Sequence, residues 1–307
     1  MCLNRRYHKS RFSRRSNHPE TGSRYIRKSP EHPHREDVVA AAIPRPPRGS
    51  TPPDGAAPKP DRLFVEALAR GFRVLEAFAD RPTAMSLAEI AAASGLDKSA
   101  AQRLVHTLVS IGYLEKTAAG VAPSRRILDR SFDYLRSNPL INRAIPILAD
   151  LRRTIKERVD LSLFDDLTML YVVRMQSKRD TFYAHLIGRR VPTYCTSGGR
   201  AVLSHLPEED VLDILQRSQR RKLTPRTTVE IDQIMERIVQ VRETGYSLAI
   251  EEVLVGEIAV AAAVLDEAGH PVGAIHVAAS LAEWQPDEFV ARAGPLVTAA
   301  AAGLRPS

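Results

Sequence analysis

The chain has little cysteine, little aromatic surface and no long apolar run. Its 307 residues include two cysteines, Cys2 and Cys195, and one tryptophan. Neither cysteine has a CxxC partner and no His/Cys cluster has zinc spacing, so neither a structural metal nor a structural disulfide is expected. Gly198-Gly199 has no G-x-G-x-x-G around it, which excludes the dinucleotide fingerprint, and no G-x-S-x-G elbow occurs. Cys195 and Arg200 stand one residue too close for a C-x5-R phosphate loop. No stretch reaches the ~18 apolar residues of a membrane span. The N-terminus lacks the apolar core of a signal peptide. The expectation is a cytoplasmic chain with no cofactor, no metal and no membrane partner.

Charge is also missing where the total suggests it. The net charge is +8, but residues 1–60 hold 13 Lys+Arg against 5 Asp+Glu. The other 247 residues hold 31 of each sign, so the body is neutral. The same 60 residues carry 10 of the 21 prolines and no apolar periodicity. A segment of this composition cannot bury enough surface to offset chain entropy, and disorder is expected. Three readings of it stay open: a solvated extension, a start placed too far upstream, or an arm that adds non-specific phosphate contacts.

What the chain does have is a helix pair at Ser86 to Tyr113. Ser86 and Glu89 form an S-x-x-E capping box. Leu87, Ile90 and Ala91 supply a buried stripe. Gly95 can take the left-handed conformation that ends the first helix, and Asp97 caps the second. That second helix has Ala101, Leu104, Val105 and Leu108 on its apolar side. Its other side offers Lys98, Ser99, Gln102, Arg103 and His106. Short donors followed one turn later by a long Arg suit a helix laid N-terminus first into a major groove. Ile111 to Glu115 turns strand-like, Lys116 to Gly120 reads as a turn, and Val121 to Pro123 can pair back. Upstream, Val65 to Ala79 is a third amphipathic helix. Three helices and a wing make a winged helix-turn-helix.

This pattern resembles the IclR family of bacterial transcription regulators. The matching residues are Leu68 to Leu75, Ser86 to Ala91, Gly95 to Ser99, Arg103-Leu104, Leu108 and Gly112-Tyr113. Ala100 departs from the family's usual Thr, which removes a donor and leaves a methyl that can meet a thymine. The DNA-contacting set is expected to be Lys98, Ser99, Ala100, Gln102 and Arg103.

Further on, Ser124 to Ser137 reads as a linker helix, with Ile127, Phe132 and Leu135 apolar. Asn138-Pro139 breaks it. A helix from Leu140 to Arg158 follows, with Ile141, Ile145, Ile147, Leu148, Leu151 and Ile155 as its stripe. The period then changes to strands at Val159 to Phe164, Met169 to Val173 and Phe182 to Ile187. Two helices follow the loop at 192–199, the second ending near Arg217, and a longer one spans Val229 to Thr244. Strands at Tyr246 to Ile250, Ile258 to Leu265 and Val272 to Ala279 precede a last helix, Pro286 to Leu304. Runs of each type argue for an α+β fold. The expected organisation is a tail at 1–60, a winged helix-turn-helix at 61–123, a linker helix at 124–140 and an effector-binding, oligomerising domain at 141–304. This half too resembles the IclR family, through Gly188 to Pro192, Thr196, Gly199, Ala201 and Leu203, then Gly245-Tyr246, Glu251-Glu252, Gly256, Ile258-Ala259 and Asp266. The resemblance implies a GAF-like domain. Pro192 to Arg200 is most similar to members that govern aromatic-acid and β-ketoadipate catabolism.

Cys195, Thr196, Ser197 and Gly198 form a small-residue loop at a helix start. Free amides there attract anions, with the Thr196 and Ser197 hydroxyls assisting; a plain, well-capped helix start is the other reading. The family resemblance favours the first, because the matching loop lines the effector pocket in relatives. It further implies that Ser197, Gly198, Ala249, Ala259, His276 and Ala278 line that pocket. Relatives that bind small keto acids carry Asp, Cys and Ser where this chain has Ala249, Ala259 and Ala278. Three alanines imply a wider, more apolar pocket with His276 as the remaining polar wall, unless His276 is simply a satisfied strand histidine. Such a pocket suits an aromatic carboxylate, or one larger than a C2–C3 keto acid. Glu251-Glu252, expected on a strand, would face opposite sides and form no catalytic pair. Asp165-Asp166 reads as a turn. No enzyme is expected.

The chain therefore reads as a regulator whose affinity for double-stranded operator DNA responds to a small carboxylate. It is expected to act as a dimer or tetramer, at the bacterial nucleoid when bound. The alternative is a DNA-binding regulator whose C-terminal half only oligomerises.

Overall fold

The computed structural model describes residues 62–79, 84–176 and 187–306. The expected basic tail and most of the expected strand at 182–187 lie outside the described residues.

The first part is three helices and a hairpin. These are α1 (Glu66–Glu76), α2 (Leu87–Ser94), α3 (Lys98–Ser110), β1 (Leu114–Thr117) and β2 (Gly120–Pro123). The capping box is present in both directions: the Ser86 amide donates to Glu89 Oε2 at 2.8 Å and the Glu89 amide to Ser86 Oγ at 3.3 Å. Gly95 ends α2 at φ 66°, and Asp97 accepts the Ala100 amide at 2.8 Å to start α3. Val74, Phe78, Ile90, Val105, Leu108 and Leu114 close one small core. The wing turn is tighter than expected. Lys116 and Thr117 belong to β1, and only Ala118-Ala119 separate the paired Thr117 and Gly120. Met85 adds an edge by exchanging two 2.8 Å backbone bonds with Val121. Gly120 (φ 135°) makes room for it, because a Cβ there would sit 2.5 Å from the Met85 carbonyl.

Next come α4 (Arg126–Ser137) and α5 (Pro139–Ile155). Asn138 caps α5 by accepting the Leu140 and Ile141 amides. The buried stripe of α5 is Ile141, Ala144, Leu148, Leu151 and Ile155. Ile145, expected in that stripe, is exposed. The helix stops three residues earlier than expected, because Lys156 turns left-handed. Arg158 therefore starts a strand.

Six strands form one antiparallel sheet in the order β5-β4-β3-β8-β7-β6. They are β3 (Arg158–Asp165), β4 (Thr168–Met175), β5 (Arg190–Pro192), β6 (Ser247–Ile250), β7 (Glu257–Leu265) and β8 (Pro271–Ser280). The short edge strand β5 was not anticipated. Helices α5 and α9 (Pro286–Ala302) cover one face with the main apolar core. On the other face lies α6 (Ser197–Leu203), under α7 (Glu208–Arg217) and α8 (Ile231–Thr244). With helices on both faces, the first five residues of β3 are all buried, polar ones included. Asp166 stands at φ 53° in the β3–β4 turn. Among the described residues no helix is long and apolar enough to cross a membrane.

Candidate functional site

The DNA-facing candidates stand where the sequence put them. Lys98, Ser99, Gln102, Arg103 and His106 are exposed on α3, opposite the buried Ala101, Val105 and Leu108; Ala100 is half-buried at the margin.

In the C-terminal part, strand register brings the expected pocket residues together. Cross-strand partners share a face of the sheet. Arg158 pairs with Ala278, Ala278 with Ala259, and Ala259 with Ala249, so the three alanines form one row across β8, β7 and β6. The next row is Arg174, Asp160, His276 and Ala261, on β4, β3, β8 and β7. Helix α6 lies close over this face. Gly198 and Gly199 permit the approach: a Cβ on Gly198 would sit 2.0 Å from the His276 ring, and one on Gly199 1.9 Å from the Thr193 carbonyl.

The pocket is not wide or apolar. Thr196, Ser197, Ala249, Ala259 and His276 line one cavity of about 30 Å³ together with Arg158, Tyr171 and the acidic Glu251, Glu252 and Glu257. That volume holds a water or two. The reason is Arg158, which the sequence reading left at the end of a helix. Its Nε donates to Asp160 Oδ2 at 2.9 Å, and its Nη1 reaches Glu257 Oε2 at 2.7 Å. The side chain reaches from β3 across β8 to the start of β7, and with Glu257 it shares the small cavity that Ala249 and Ala259 line. Burial disfavours its charge, but Glu257 and Asp160 outweigh that and hold the guanidinium protonated. Burial lowers Arg174. Its side chain is 2% exposed, with Nε 3.4 Å from Asp160 Oδ1 and no hydrogen bond from any of its three nitrogens to a described residue.

His276 is not a free polar wall. Its Nε2 lies 2.6 Å from Ser162 Oγ and its ring centroid 5.3 Å from that of Tyr171. Burial, with the Arg158 charge, pushes its pKa down to about 3. Thr196 is committed as well: its hydroxyl donates to the Pro192 carbonyl and accepts the Gly199 amide, both at 3.0 Å. Only the Ser197 part of the expected hydroxyl pair faces the cavity uncommitted by these cap bonds. Cys195 does not belong to the site. It is fully buried among Tyr194, Leu203, Val211 and Leu215, and burial pushes its thiol up to about 12. Ala278, the register partner of Arg158, is buried and does not line the cavity.

Glu251-Glu252 are not on a strand. β6 ends at Ile250, and Glu251 turns at φ 55° into a loop. Glu251 bonds the Gly256 amide. Glu252 takes two bonds from buried Arg200, at 3.1 and 2.7 Å, and one from Arg237 at 3.0 Å. Burial opposes its charge, but the Arg200 bonds hold the carboxyl below its usual range. Arg200 and Cys195 therefore form no reactive pair.

Two known family domains match this chain. The IclR helix-turn-helix domain matches residues 67–118, and the IclR C-terminal domain of bacterial transcriptional regulators matches 132–304. The chain belongs to the IclR family. It is thus an IclR-type DNA-binding transcription regulator, and the family consists of regulators rather than enzymes. Among relatives, the Pca regulon regulatory protein of Pseudomonas putida is 27% identical over 245 residues, covering 80% of this chain and 84% of the relative. The p-hydroxybenzoate hydroxylase transcriptional activator of Acinetobacter baylyi is 27% identical, covering 79% and 91%. A crystal structure of an IclR homologue from Microbacterium hydrocarbonoxydans, complexed with 4-hydroxybenzoate, shares the fold. Its TM-score is 0.66 at 22% identity, covering 78% of this chain and 97% of that one.

Sequence reasoning missed Arg158, Asp160, Tyr171, Arg174 and Glu257. The signal was present in Arg158-Val159-Asp160-Leu161-Ser162, which alternates polar and apolar. Read as a half-exposed strand, its polar side belongs to solvent; under α6, that side is the pocket.

Proposed function

We propose that this IclR-family regulator alters its operator affinity on binding a small carboxylate in the cavity beneath α6, an acid that is aromatic or larger than a C2–C3 keto acid. The observation that carries this reading is the row Arg158–Ala278–Ala259–Ala249, a guanidinium beside a floor of methyl groups. A carboxylate suits the one and a ring or aliphatic chain the other. The relatives named for aromatic-acid operons and the 4-hydroxybenzoate complex point to the same class. Ser99, Ala100, Gln102 and Arg103 on α3 are proposed to meet base edges and Lys98 a phosphate, with two copies on a near-palindrome. Leu68 and Phe72 of α1 and Leu128 and Phe132 of α4 are all more than half exposed. Such apolar faces support oligomer contacts, in a dimer or tetramer. A ligand that prefers one arrangement of these parts changes operator affinity by its differential affinity.

A second reading, a C-terminal half that only oligomerises, is favoured by the cavity's small volume. Thermal-shift titration of the full chain with benzoate, 4-hydroxybenzoate, hexanoate, pyruvate and glyoxylate separates the two. Stabilisation by the larger acids, with a change in operator binding, is expected. No response to any acid supports the second reading, and a response to glyoxylate or pyruvate alone overturns the size assignment.

A further inference from the structure

Nothing with a ring enters a cavity of about 30 Å³ until a side chain leaves it. We propose that Glu257 is an internal stand-in for the effector's carboxylate, and that the effector acid takes its place on the Arg158 guanidinium; this rests on the carboxylate reading above. Three carboxylates line the cavity, and two are locked in place. Glu252 is bonded by Arg200, Arg237 and the Thr228 amide. Glu251 is bonded by the Gly256 amide and paired with Arg226. Glu257 has Arg158 as its ion-pair partner, and its side chain is 18% exposed. It stands at the first position of β7, so it can turn out and be rehydrated. Asp160, the other partner of Arg158, is fully buried and has no such path.

The exchange meets two physical demands at once. An acid added to a site already holding three carboxylates is repelled, and a guanidinium stripped of its partner in the interior is costly. Replacing one carboxylate by another avoids both. The bond that Nε donates to Asp160 keeps the guanidinium aimed while its outer nitrogens change partner. Release from Glu257 also lets Arg158 withdraw from the cavity that Glu257, Ala259 and Ala249 line. Ala259 and Ala249 are then free to take a ring. Backbone bonds tie the same residue to the loop above: the Glu251 amide donates to the Glu257 carbonyl at 2.8 Å, and the Glu257 amide to the Leu254 carbonyl at 3.2 Å. The exchange therefore bears on the segment that carries Glu252.

Calorimetric titration of the full chain and its Glu257→Gln variant with benzoate and 4-hydroxybenzoate tests this, with 4-hydroxybenzamide as a neutral probe of the same shape. Removing the internal competitor is expected to tighten binding of the acids at least about tenfold, the worth of one charged hydrogen bond, and to tighten the amide by much less, since it gains the opened room but no ion pair. Arg158→Gln is expected to abolish the acid preference. Should Glu257→Gln fail to fold, Glu257→Asp, which retracts the carboxylate by one methylene, is expected to show a smaller gain of the same sign. Acids that bind the wild type but gain nothing in the variants overturn the exchange alone. So does an equal gain by the amide. If no acid binds any of these proteins, the carboxylate reading falls too.

Discussion

His276 is a buried base inside a folded domain, so the domain's stability depends on pH. An unperturbed imidazole titrates near 6.5, whereas burial and the Arg158 charge bring that of folded His276 to about 3. Between those values the unfolded chain binds the proton and the folded chain does not. Lowering the pH therefore pulls the equilibrium toward unfolding. The stabilisation is complete above pH 6.5 and is lost progressively as pH falls toward 3. Each pH unit in that window is worth about 1.4 kcal/mol per site, so pH 7 to pH 5 costs about 2 kcal/mol from this residue. The chain's single tryptophan makes the measurement selective. Trp284 bonds Glu157 at 3.0 Å and packs edge-on against Phe289 of α9, so its fluorescence reports the C-terminal sheet and not the DNA-binding helices. Urea unfolding followed by Trp284 at pH 7 and pH 5, for wild type and His276→Gln, gives two pH differences. The wild-type difference should exceed that of the variant by about 2 kcal/mol. Equal differences would refute a neutral, buried His276 and the charge arrangement built around it.

Three further outcomes follow from contacts elsewhere. Arg200→Met leaves the Glu252 carboxylate buried with only Arg237 and one amide, and should lower stability by about 3–5 kcal/mol in the same assay; a loss under about 1 kcal/mol would mean the pair is solvated. Gly198→Ala places a methyl inside the His276 ring, so α6 must retreat. A fall in Tm is expected together with loss of the low His276 pKa in NMR titration, and an unchanged Tm would show that the helix has room. Arg103→Ala should weaken operator binding by about 1–3 kcal/mol if the guanidinium meets a base; an affinity unchanged across salt concentrations would remove it from the interface.

The helix pair was legible because its signals are local. Ser86 to Glu89, Gly95 and Asp97 each act within four residues, and the caps they predict are the caps that form. The wing was read in outline, but Met85 was not, since a single bridging residue leaves no periodicity. On the sheet, five of the six strands are legible, β4 three residues short, while the three-residue edge strand β5 is not. What a single sequence does not reveal is what covers each face. The helix signal runs on through Arg158 because Lys and Arg are good helix formers; the stop is Lys156 turning left-handed, a position where Gly or Asn is the usual sign.

The pocket shows the same limit in sharper form. Taken position by position, three alanines at Ala249, Ala259 and Ala278 imply an apolar space. Strand register makes the relevant unit the row. Arg158 lies on β3, beyond the alanines of β8, β7 and β6, and a side chain as long as arginine spans the distance a shorter residue would leave open. Small residues in one strand and a long charged residue in its neighbour are therefore a single feature: a methyl stands at Ala278, the position paired with Arg158, and Glu257 draws the guanidinium across to β7. An alanine-to-serine change on the floor, at Ala278, would then act first on Arg158 and only through it on a ligand. On the proposed exchange, the pocket's selectivity is a matter of which carboxylate holds one guanidinium, which no list of lining positions taken singly contains.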